Sequence, residues 1–505
     1  MNLDPLPSSL IKTNKDILLP VVTKVINESL EHAKFHDSWK RAVVKPLIKN
    51  SNLEPIYKNY RPVSNLCFVS KLTEKAFILQ LKEHLDSNNL HSVHQSAYKP
   101  NFSTETAICY LVNNLLWNME KGDITVMVAI DLSSAFDTVD HNILSNVLRD
   151  NFGVKGKALD WANSYLIDRQ LQVKVGKHYS SVQTFNYSVP QGSCLGPIFF
   201  NIYSSSIIDC ISGSQRIGGY ADDHFIYDSF SAKSSGGESR CMKNLEKTLS
   251  DVEKWMEANT LKMNTSKTEF TLIGSCHFLN NVSTSSITVG TDKVDAKPLL
   301  KHLGVWLDQT LSFKHHIKLK CQTAAANIRK IAMIRRYIDI DTAKQLATAL
   351  VLSHLDYSNC ILCGLPDSSI ELLQKMQNWA AKVVLQKSKF DSSTDALKHL
   401  HWLPIKARID YKIACLTFKC LEKSAPASLS NLIKLRQFSR STRASTTDSH
   451  KLEVPFTRRS TFADRSFSVY GPQLWNTLPQ ELRRLSDSIH SNNMHHYVAQ
   501  YQRKE

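Results

Sequence analysis

Two kinds of apolar spacing alternate along the first part of the chain. Apolar residues recur every three or four positions over residues 17–30, 68–90, 104–120 and 140–151, a spacing typical of amphipathic helices. Residues 124–131 (ITVMVAID) instead form a short run of apolar and β-branched residues. Such a run predicts a buried strand, here one that ends on a carboxylate. The pattern as a whole therefore predicts an α+β fold.

Further extended segments follow, and turn residues separate them. Residues 172–189 alternate like a hairpin, and RIGGYADDHFIYD (216–228) predicts two short strands joined at two aspartates. TEFTLIG and LLKHLGVWLD predict more strands. The Ser-, Lys- and Gly-rich stretch 231–240 predicts a surface loop, and residues 251–261 a helix.

From residue 313 to about 433 the pattern is almost entirely helical, with breaks at Pro404 and Pro426. No apolar run approaches the roughly 18 residues that span a bilayer. The first residues, MNLDPLPSSL, lack the basic and apolar regions of a signal peptide. We therefore expect an intracellular protein, in the nucleus, the cytoplasm or both, without a membrane partner.

The charge balance points to a polyanionic partner. Lys and Arg outnumber Asp and Glu by 62 to 46, a formal net charge of +16. A positive surface gains free energy when it releases the counterions of a phosphate backbone. The 11 cysteines are scattered, and the only CxxC, Cys360 with Cys363, has no second pair at zinc-ligand spacing. We predict buried thiols there and no zinc site.

Carboxylates at two strand ends are the main candidates for chemistry. Asp131 ends the strand at 124–131, and Asp222 with Asp223 lies at the turn of a predicted hairpin. Oxygen ligands suit Mg²⁺, and two such ions would offset the repulsion between three carboxylates and support nucleotidyl transfer. An Asp-Asp pair alone is more often a plain turn, so the surrounding motifs decide.

Several short motifs surround these carboxylates in a fixed order. They are KNYRPVSNL, HQSAYKPNFSTETA, Asp131 with Phe136 five residues later, VPQGSCLGPIFFNIY, Tyr220-Ala221-Asp222-Asp223, NTSKTEF, HLGVWLD and LWNTLP. Together they resemble, in order and over most of the chain, the blocks of non-LTR (LINE-type, jockey-like) retrotransposon reverse transcriptases. The resemblance implies the right-hand polymerase fold, with fingers, an antiparallel-sheet palm and a helical thumb.

The resemblance also implies a division of the chain and a function. Fingers are expected at 1–121, a palm at 122–310 with a fingers insertion at about 152–188, a thumb at 311–433, and a tail of unassigned role at 434–505. The implied activity is that of an RNA-directed DNA polymerase, with two Mg²⁺ ions (Mn²⁺ also fits) as cofactors. The implied partners are an RNA template, a DNA primer and dNTPs, and the oligomeric state stays open.

The resemblance assigns roles to individual residues. Asp131, Asp222 and Asp223 should bind the metals, and Lys267 should protonate the departing pyrophosphate. The dNTP should be contacted by Lys49, Arg61, Phe136, Gln191 and Gly192, with Phe136 as the gate against the ribose 2′-hydroxyl. Leu303 and Gly304 should belong to the primer grip, and basic residues such as Lys318, Lys320 and Arg335 should follow the duplex backbone.

Some positions depart from the family pattern and leave alternatives open. Lys99 and Phe102 stand where the family commonly has Arg and His, and His224 where it has Thr. Nothing before the fingers resembles the family's endonuclease, so we expect a truncated copy that polymerises without nicking its target. An inactive, retroelement-derived nucleic-acid-binding protein is the alternative. An RNA-dependent RNA polymerase is disfavoured by Ala221 and Phe136.

Overall fold

Two larger β-sheets, two two-stranded sheets (β10–β11 and β12–β13) and a large set of helices make up the part of the chain that the computed structural model describes, which is residues 4, 7–50, 52–133, 135–436, 450–458 and 461–483. The strands are β1 Arg41–Ile48, β2 Tyr60–Asn65, β3 Asp123–Ile130, β4 Arg169–Val175, β5 His178–Tyr179, β6 Gln183–Phe185, β7 Arg216–Tyr220, β8 Asp223–Ser231, β9 Glu269–Ile273, β10 Ser286–Val289, β11 Asp292–Asp295, β12 Leu299–His302 and β13 Val305–Asp308.

The helices flank these strands and dominate the second half of the chain. They are α1 Ser8–Thr13, α2 Lys15–Glu31, α3 Phe68–Ser87, α4 Thr104–Lys121, α5 His141–Asp150, α6 Lys157–Leu166, α7 Gly196–Tyr203, α8 Gly237–Ala258, α9 Cys276–Leu279, α10 Lys314–Ile334, α11 Ile340–Ala347, α12 Ser353–Asp356, α13 Asp367–Val384, α14 Ser393–Leu400, α15 Ile405–Leu421, α16 Ala427–Ser430, α17 Phe467–Thr477 and α18 Gln480–Arg483. None of the described helices combines the length and the apolar composition needed to cross a membrane.

The central sheet is antiparallel and has the strand order β7-β8-β3-β9. Its β3 is nearly continuous in apolar residues because both of its faces are covered. Val126 and Val128 pack into a cluster with helices α3 and α5–α8, whereas Met127 packs into a second cluster on the opposite face. Successive strand residues thus supply two separate cores, as the period of two requires.

The second apolar cluster extends far beyond the sheet. It joins the buried face of α4, the helices α10–α16 and α17 in one continuous core, with Trp475 of α17 fully buried. The indole of Trp117 on α4 also donates a hydrogen bond to Ser468 Oγ, at 2.7 Å. The described part of the predicted tail therefore packs against α4 and the helical region, while residues 437–449, 459–460 and 484–505 lie outside the described residues.

A second sheet brings distant segments together. β1 pairs with β2 in antiparallel fashion and with β4 in parallel, and β4 pairs with β5 and β6. The Arg41–Gln170 pairing joins residues near 41–65 to residues near 169–185. The segment predicted as a fingers insertion thus shares a sheet with the N-terminal strands.

Most predicted elements are confirmed, with small shifts at their ends. The helices at 17–30, 68–90, 104–120 and 140–151 correspond to α2, α3, α4 and α5. Helix α4 begins with a capping box between Ser103 and Thr106 and ends at Gly122, whose φ is +85°. The strand before Asp131 and the hairpin around Asp222 are also confirmed.

Two predictions near residue 240 are wrong in extent. The loop predicted at 231–240 is shorter, because α8 already begins at Gly237, and the helix predicted at 251–261 is the last part of α8. A glycine pair opens this helix, and glycines weaken the helical signal of a sequence. Helices α6 and α7 and the hairpin β10–β11 were not predicted, since each is short.

One predicted nucleic-acid contact is wrong because its side chain lies inside the fold. Lys320 on α10 is buried, and its Nζ donates to the carbonyl oxygens of His354 at 2.6 Å and Tyr357 at 2.7 Å. Burial lowers the pKa of Lys320 to about 8. Arg335 likewise donates to the carbonyls of Val384 and Ile338. Lys320 therefore closes the carbonyl end of α12 and does not follow a duplex.

We predict that Lys320→Met lowers the free energy of unfolding by about 1–3 kcal/mol, because two carbonyls lose their buried donor. Lys318→Met, two residues away on the exposed side of the same helix, is the matched control and should change it by less than about 0.5 kcal/mol. Thermal or urea unfolding measures both.

The stability difference between the wild type and Lys320→Met should also depend on pH. Because the folded-state pKa of Lys320 is depressed, the wild type should gain stability relative to Lys320→Met as the pH rises from about 8 towards the ordinary value of 10.5. Equal unfolding of the two variants would refute the internal role of Lys320.

Candidate active site

Three carboxylates converge where β3 ends and β7 turns into β8. Asp131 directly follows β3, and the pairing of Ile130 with His224 brings it beside the aspartate turn. The Asp223 side chain is exposed at the start of β8, yet desolvation by its neighbours, together with the charges of Asp222 and Asp131, raises its pKa to about 6. The structure thus brings together the three aspartates that the sequence singled out.

Lys267 stands at the same cluster. It ends a short turn, Thr265–Lys267, just before β9, and its Nζ lies 3.1 Å from Asp131 Oδ2. The backbone N–H of Asn264 donates to the carbonyl of Asp131 at 2.9 Å, which ties this turn to the end of β3. The ammonium of Lys267, predicted as a proton donor, therefore contacts the carboxylate of Asp131, predicted as a metal ligand.

The donor chemistry of this cluster fits a hard divalent cation. No group of three or more His, Cys, Asp or Glu side chains among the described residues has metal-binding geometry as it stands. The charges of Asp222 and Asp131 do, however, raise the pKa of Asp223. Cations with a preference for oxygen would relieve that repulsion, so the residues present suit such ions.

The Pro190–Leu195 loop carries Gln191 and Gly192. It contacts β2 on one side and Asp137, in the segment after β3, on the other. The amide of Gln191 donates to both carboxylate oxygens of Asp137, at 3.0 and 3.1 Å. Its carbonyl accepts from the backbone N–H of Ser64 on β2 at 2.7 Å. The two predicted residues therefore lie where the two sheets meet.

Phe136 belongs to the same junction. Its ring lies 4.9 Å from the ring of Phe200 on α7, at an interplanar angle of 32°. Its carbonyl accepts from the backbone N–H of Val189 at 3.0 Å. The ring is half-buried, so one part is packed and another part remains accessible to a ligand.

Lys49 and Arg61 lie on the other sheet from the aspartates. Both are exposed at the loop end of the β1–β2 hairpin, where Leu47 pairs with Arg61 and the N–H of Lys49 donates to the carbonyl of Asn59. The structure places these two cations together, and it does not place them within the carboxylate cluster.

Leu303 and Gly304 form the tight turn between β12 and β13. Both have positive φ, +45° and +78°. The hydroxyl of Tyr357 donates to the carbonyl of Leu303 at 2.5 Å, and a Cβ on Gly304 would lie 3.3 Å from the Tyr357 ring. Tyr357 follows α12, so a residue of the helical region that the sequence did not single out fixes this turn.

Glu74 is a second residue that the sequence analysis missed. It is fully buried on α3, and its Oε2 accepts from the backbone N–H groups of Cys194 at 2.6 Å and Leu195 at 3.1 Å. Burial raises its pKa. Its position on the apolar stripe of α3, between Ser70 and Ile78, was the available signal. Glu74 anchors the loop that contains Gln191 and Gly192.

The residues that depart from the family pattern point inwards. Lys99 donates to the carbonyl of Ser92 and stands 5.2 Å from the ring centre of Phe102, and burial lowers its pKa to about 8. His224 is buried, and its Nδ1 lies 3.2 Å from the carbonyl of Asp222. Lys99 is thus bonded within its own segment, whereas the Nε2 of His224 is buried without a hydrogen-bond partner.

We predict that Gly192→Ala disrupts this site. Gly192 has a φ of +123°, and an added Cβ would lie 2.5 Å from the backbone carbonyl oxygen of Ser64, which cannot move without breaking β2. Gly153→Ala is the matched control, since Gly153 also has positive φ (+66°) but open space around it.

We expect Gly192→Ala to lower the free energy of unfolding by about 1–3 kcal/mol more than Gly153→Ala does. Urea unfolding checks this difference. A similar cost for both variants would mean that backbone strain alone matters and that the close approach to Ser64 does not.

Comparison with known proteins agrees with this geometry. Residues 48–307 match the family described as reverse transcriptase (RNA-dependent DNA polymerase). The chain is 27% identical over 304 residues to the probable RNA-directed DNA polymerase from transposon BS of Drosophila melanogaster, covering 58% of this chain and 32% of that protein. It is 25% identical to the RNA-directed DNA polymerase from mobile element jockey of the same organism, covering 62% and 34%.

Solved telomerase structures are also similar to this chain. Apo telomerase from Candida Tropicalis is 12% identical, with a TM-score of 0.41 and coverage of 76% of this chain and 67% of that one. Telomerase from Candida albicans, in complex with a TWJ fragment of telomeric RNA, is 13% identical, with a TM-score of 0.38 and coverage of 74% and 68%.

The chain spans about a third of the length of the curated relatives described above, at 32% and 34%. The family match includes β3, the aspartate turn, the Gln191–Gly192 loop and both residues of the β12–β13 turn. The predicted α+β, right-hand polymerase class and the LINE-type resemblance are thereby confirmed. The chain belongs to the reverse transcriptase (RNA-dependent DNA polymerase) family.

Proposed function

We propose that this chain is an RNA-directed DNA polymerase of a LINE-type retrotransposon, which adds nucleotides from dNTPs to the 3′ end of a DNA primer on an RNA template. The convergence of Asp131, Asp222 and Asp223 at a strand end and a hairpin turn carries this proposal. The net charge of +16 supports a nucleic-acid partner, because phosphates attract such a surface.

The three aspartates would hold two Mg²⁺ ions, with Mn²⁺ as a possible substitute. Ions held there would supply Lewis-acid chemistry for nucleotidyl transfer, at the attacking oxygen and at the leaving group. The chain's own contribution is to fix the carboxylates, because the β3–β8 pairing sets Asp131 beside the turn that carries Asp222 and Asp223. Rigid strand ends suit this task.

Lys267 would donate a proton to the departing pyrophosphate. Its ammonium is held 3.1 Å from Asp131 Oδ2, so a protonated group stands at the edge of the carboxylate cluster. Arg61 and Lys49 would bind the triphosphate from the β1–β2 hairpin, Arg61 through its planar guanidinium.

The remaining contacts would orient the nucleotide and the primer. Phe136 would lie against the sugar, where the accessible part of its half-buried ring would exclude a 2′-hydroxyl. Gln191 and Gly192 would let the backbone approach the incoming nucleotide. Leu303 and Gly304 would hold the primer end, in a turn that Tyr357 fixes from the helical region.

We propose the same division of the chain as the sequence indicated. Fingers at 1–121 and their insertion at about 152–188 would be united by the β2-β1-β4 sheet, and the palm at 122–310 would centre on the β7-β8-β3-β9 sheet. The thumb would be the helical region 311–433. The tail, 434–505, would cover α4 and the thumb through α17.

We predict that the purified protein with Mg²⁺ extends a DNA primer on an RNA template with dNTPs, and that Asp222→Asn lowers the rate by roughly 100-fold, which corresponds to about 2.7 kcal/mol of barrier. Asp295→Asn, at an exposed position of β11, is the matched control and should retain activity. A primer-extension assay measures all three. Background incorporation by the wild type and both variants would instead support an inactive nucleic-acid-binding protein.

We predict that Phe136→Val raises the use of ribonucleotides relative to deoxynucleotides, because a smaller side chain opens space at the sugar. Single-nucleotide incorporation with dNTP and rNTP gives the ratio of kcat/KM values. Phe390→Val, at an 86% exposed position of the helical region, is the control. An unchanged ratio in Phe136→Val would remove the gate role from this ring.

A further inference from the structure

The turn that carries the aspartate pair has a conformation that its sequence does not favour. Tyr220 pairs with Asp223, so Ala221 and Asp222 form a two-residue hairpin loop. Ala221 has a φ of +58°. Hairpin loops usually place glycine at such a position, because an L-residue with a Cβ is strained there by roughly 1–2 kcal/mol. Other contacts must therefore hold this turn.

The side chain of Gln95 supplies those contacts. Its Oε1 accepts from the backbone N–H of Ala221 at 2.9 Å, and its Nε2 donates to the carbonyl of Ala221 at 3.0 Å. Both backbone polar groups of the strained residue are thus bonded by one amide. Gln95 is only 1% exposed, so water does not compete for these bonds.

Gln95 is itself held in a fixed place beside the palm sheet. The N–H of Gly219 donates to the carbonyl of His94, and the N–H of Ser96 donates to the carbonyl of Gly219, both at 2.8 Å. These bonds extend the edge of β7 with a short parallel segment. The N–H of Ala97 also donates to Gln95 Oε1 at 3.0 Å. The amide is therefore anchored before it reaches the turn.

We propose that Gln95 is a positioning residue, which holds Ala221 in its strained conformation so that Asp222 and Asp223 face Asp131. This inference rests on the proposed polymerase function, because it assigns Gln95 to the geometry of the same carboxylate cluster. Gln95 acts through the backbone of Ala221 and contacts neither substrate nor the reacting atoms.

Gln95→Met tests the proposal, since it keeps the length and bulk of the side chain and removes both hydrogen bonds. Gln377→Met is the matched control. Gln377 is fully buried on α13 in the helical region and donates to the carbonyl of Leu403 at 2.8 Å. If Gln95→Met does not fold, Gln95→Asn is used in its place. Its side chain is one methylene shorter, so the amide lies farther from the backbone of Ala221.

A positioning role predicts a specific kinetic pattern. We expect Gln95→Met to lower kcat by about tenfold or more, to raise the Mg²⁺ concentration at half-maximal rate, and to leave the KM for primer–template within about twofold. Gln377→Met should lower thermal stability to a similar degree without changing the Mg²⁺ dependence. Equal kinetics in the two variants would overturn the proposal.

A second-site change provides a rescue. Glycine adopts a φ of +58° without strain, so Ala221→Gly combined with Gln95→Met should recover part of the lost kcat. The same Ala221→Gly change combined with Gln377→Met should not raise kcat above that of Gln377→Met alone. A double variant no faster than Gln95→Met alone would mean that Gln95 does not act by holding Ala221.

A readout that needs no activity separates this inference from the proposed function. Hydrogen exchange of peptides that cover 217–226 should accelerate in Gln95→Met and stay unchanged in Gln377→Met. Mn²⁺ binding followed by electron paramagnetic resonance should weaken only in Gln95→Met. If the wild type shows no polymerase activity, the proposed function fails, while unchanged exchange and unchanged Mn²⁺ binding in Gln95→Met overturn the role of Gln95.

Discussion

The antiparallel pairing of β3 with β8 is the constraint on which the site depends. Its register, with Ile130 opposite His224, places the carboxylate after one strand beside the turn that begins the other. A shift of one residue would send every side chain to the opposite face and separate the aspartates. Because both faces of β3 are buried in different apolar clusters, such a shift would also expose two cores. The packing of the sheet therefore protects the geometry of the site.

Around this pairing, the loops of the site are held by side chains from distant elements. Glu74 anchors the Pro190–Leu195 loop from α3, and Tyr357 anchors the β12–β13 turn from the helical region. Each contact satisfies backbone groups that a loop cannot satisfy alone. Partly or fully buried hydrogen bonds thus hold the loops whose residues would meet substrate, although these loops have no regular secondary structure.

The contrast between sequence and structure follows from the range of the interactions. The strand before Asp131 and the hairpin at Asp222 were predictable, because alternation and turn residues are local signals. The start of α8 was not, since two glycines open it. Glu74 was missed because its partner Cys194 lies 120 residues away along the chain. Lys320 was misjudged because the carbonyls that it binds lie 34 and 37 residues away. Spacing along a chain carries no information about such contacts.

The apolar cluster that joins α4, one face of the central sheet and the helices α10–α17 bears on how the molecule can move. Because described residues of the sheet and of these helices share one apolar cluster, a hinge between them would have to open that cluster. Exposed apolar surface costs roughly 25 cal/mol for each Å². A rotation of the helical region against the sheet would therefore expose apolar side chains of both, so the shared core favours joint movement of the two.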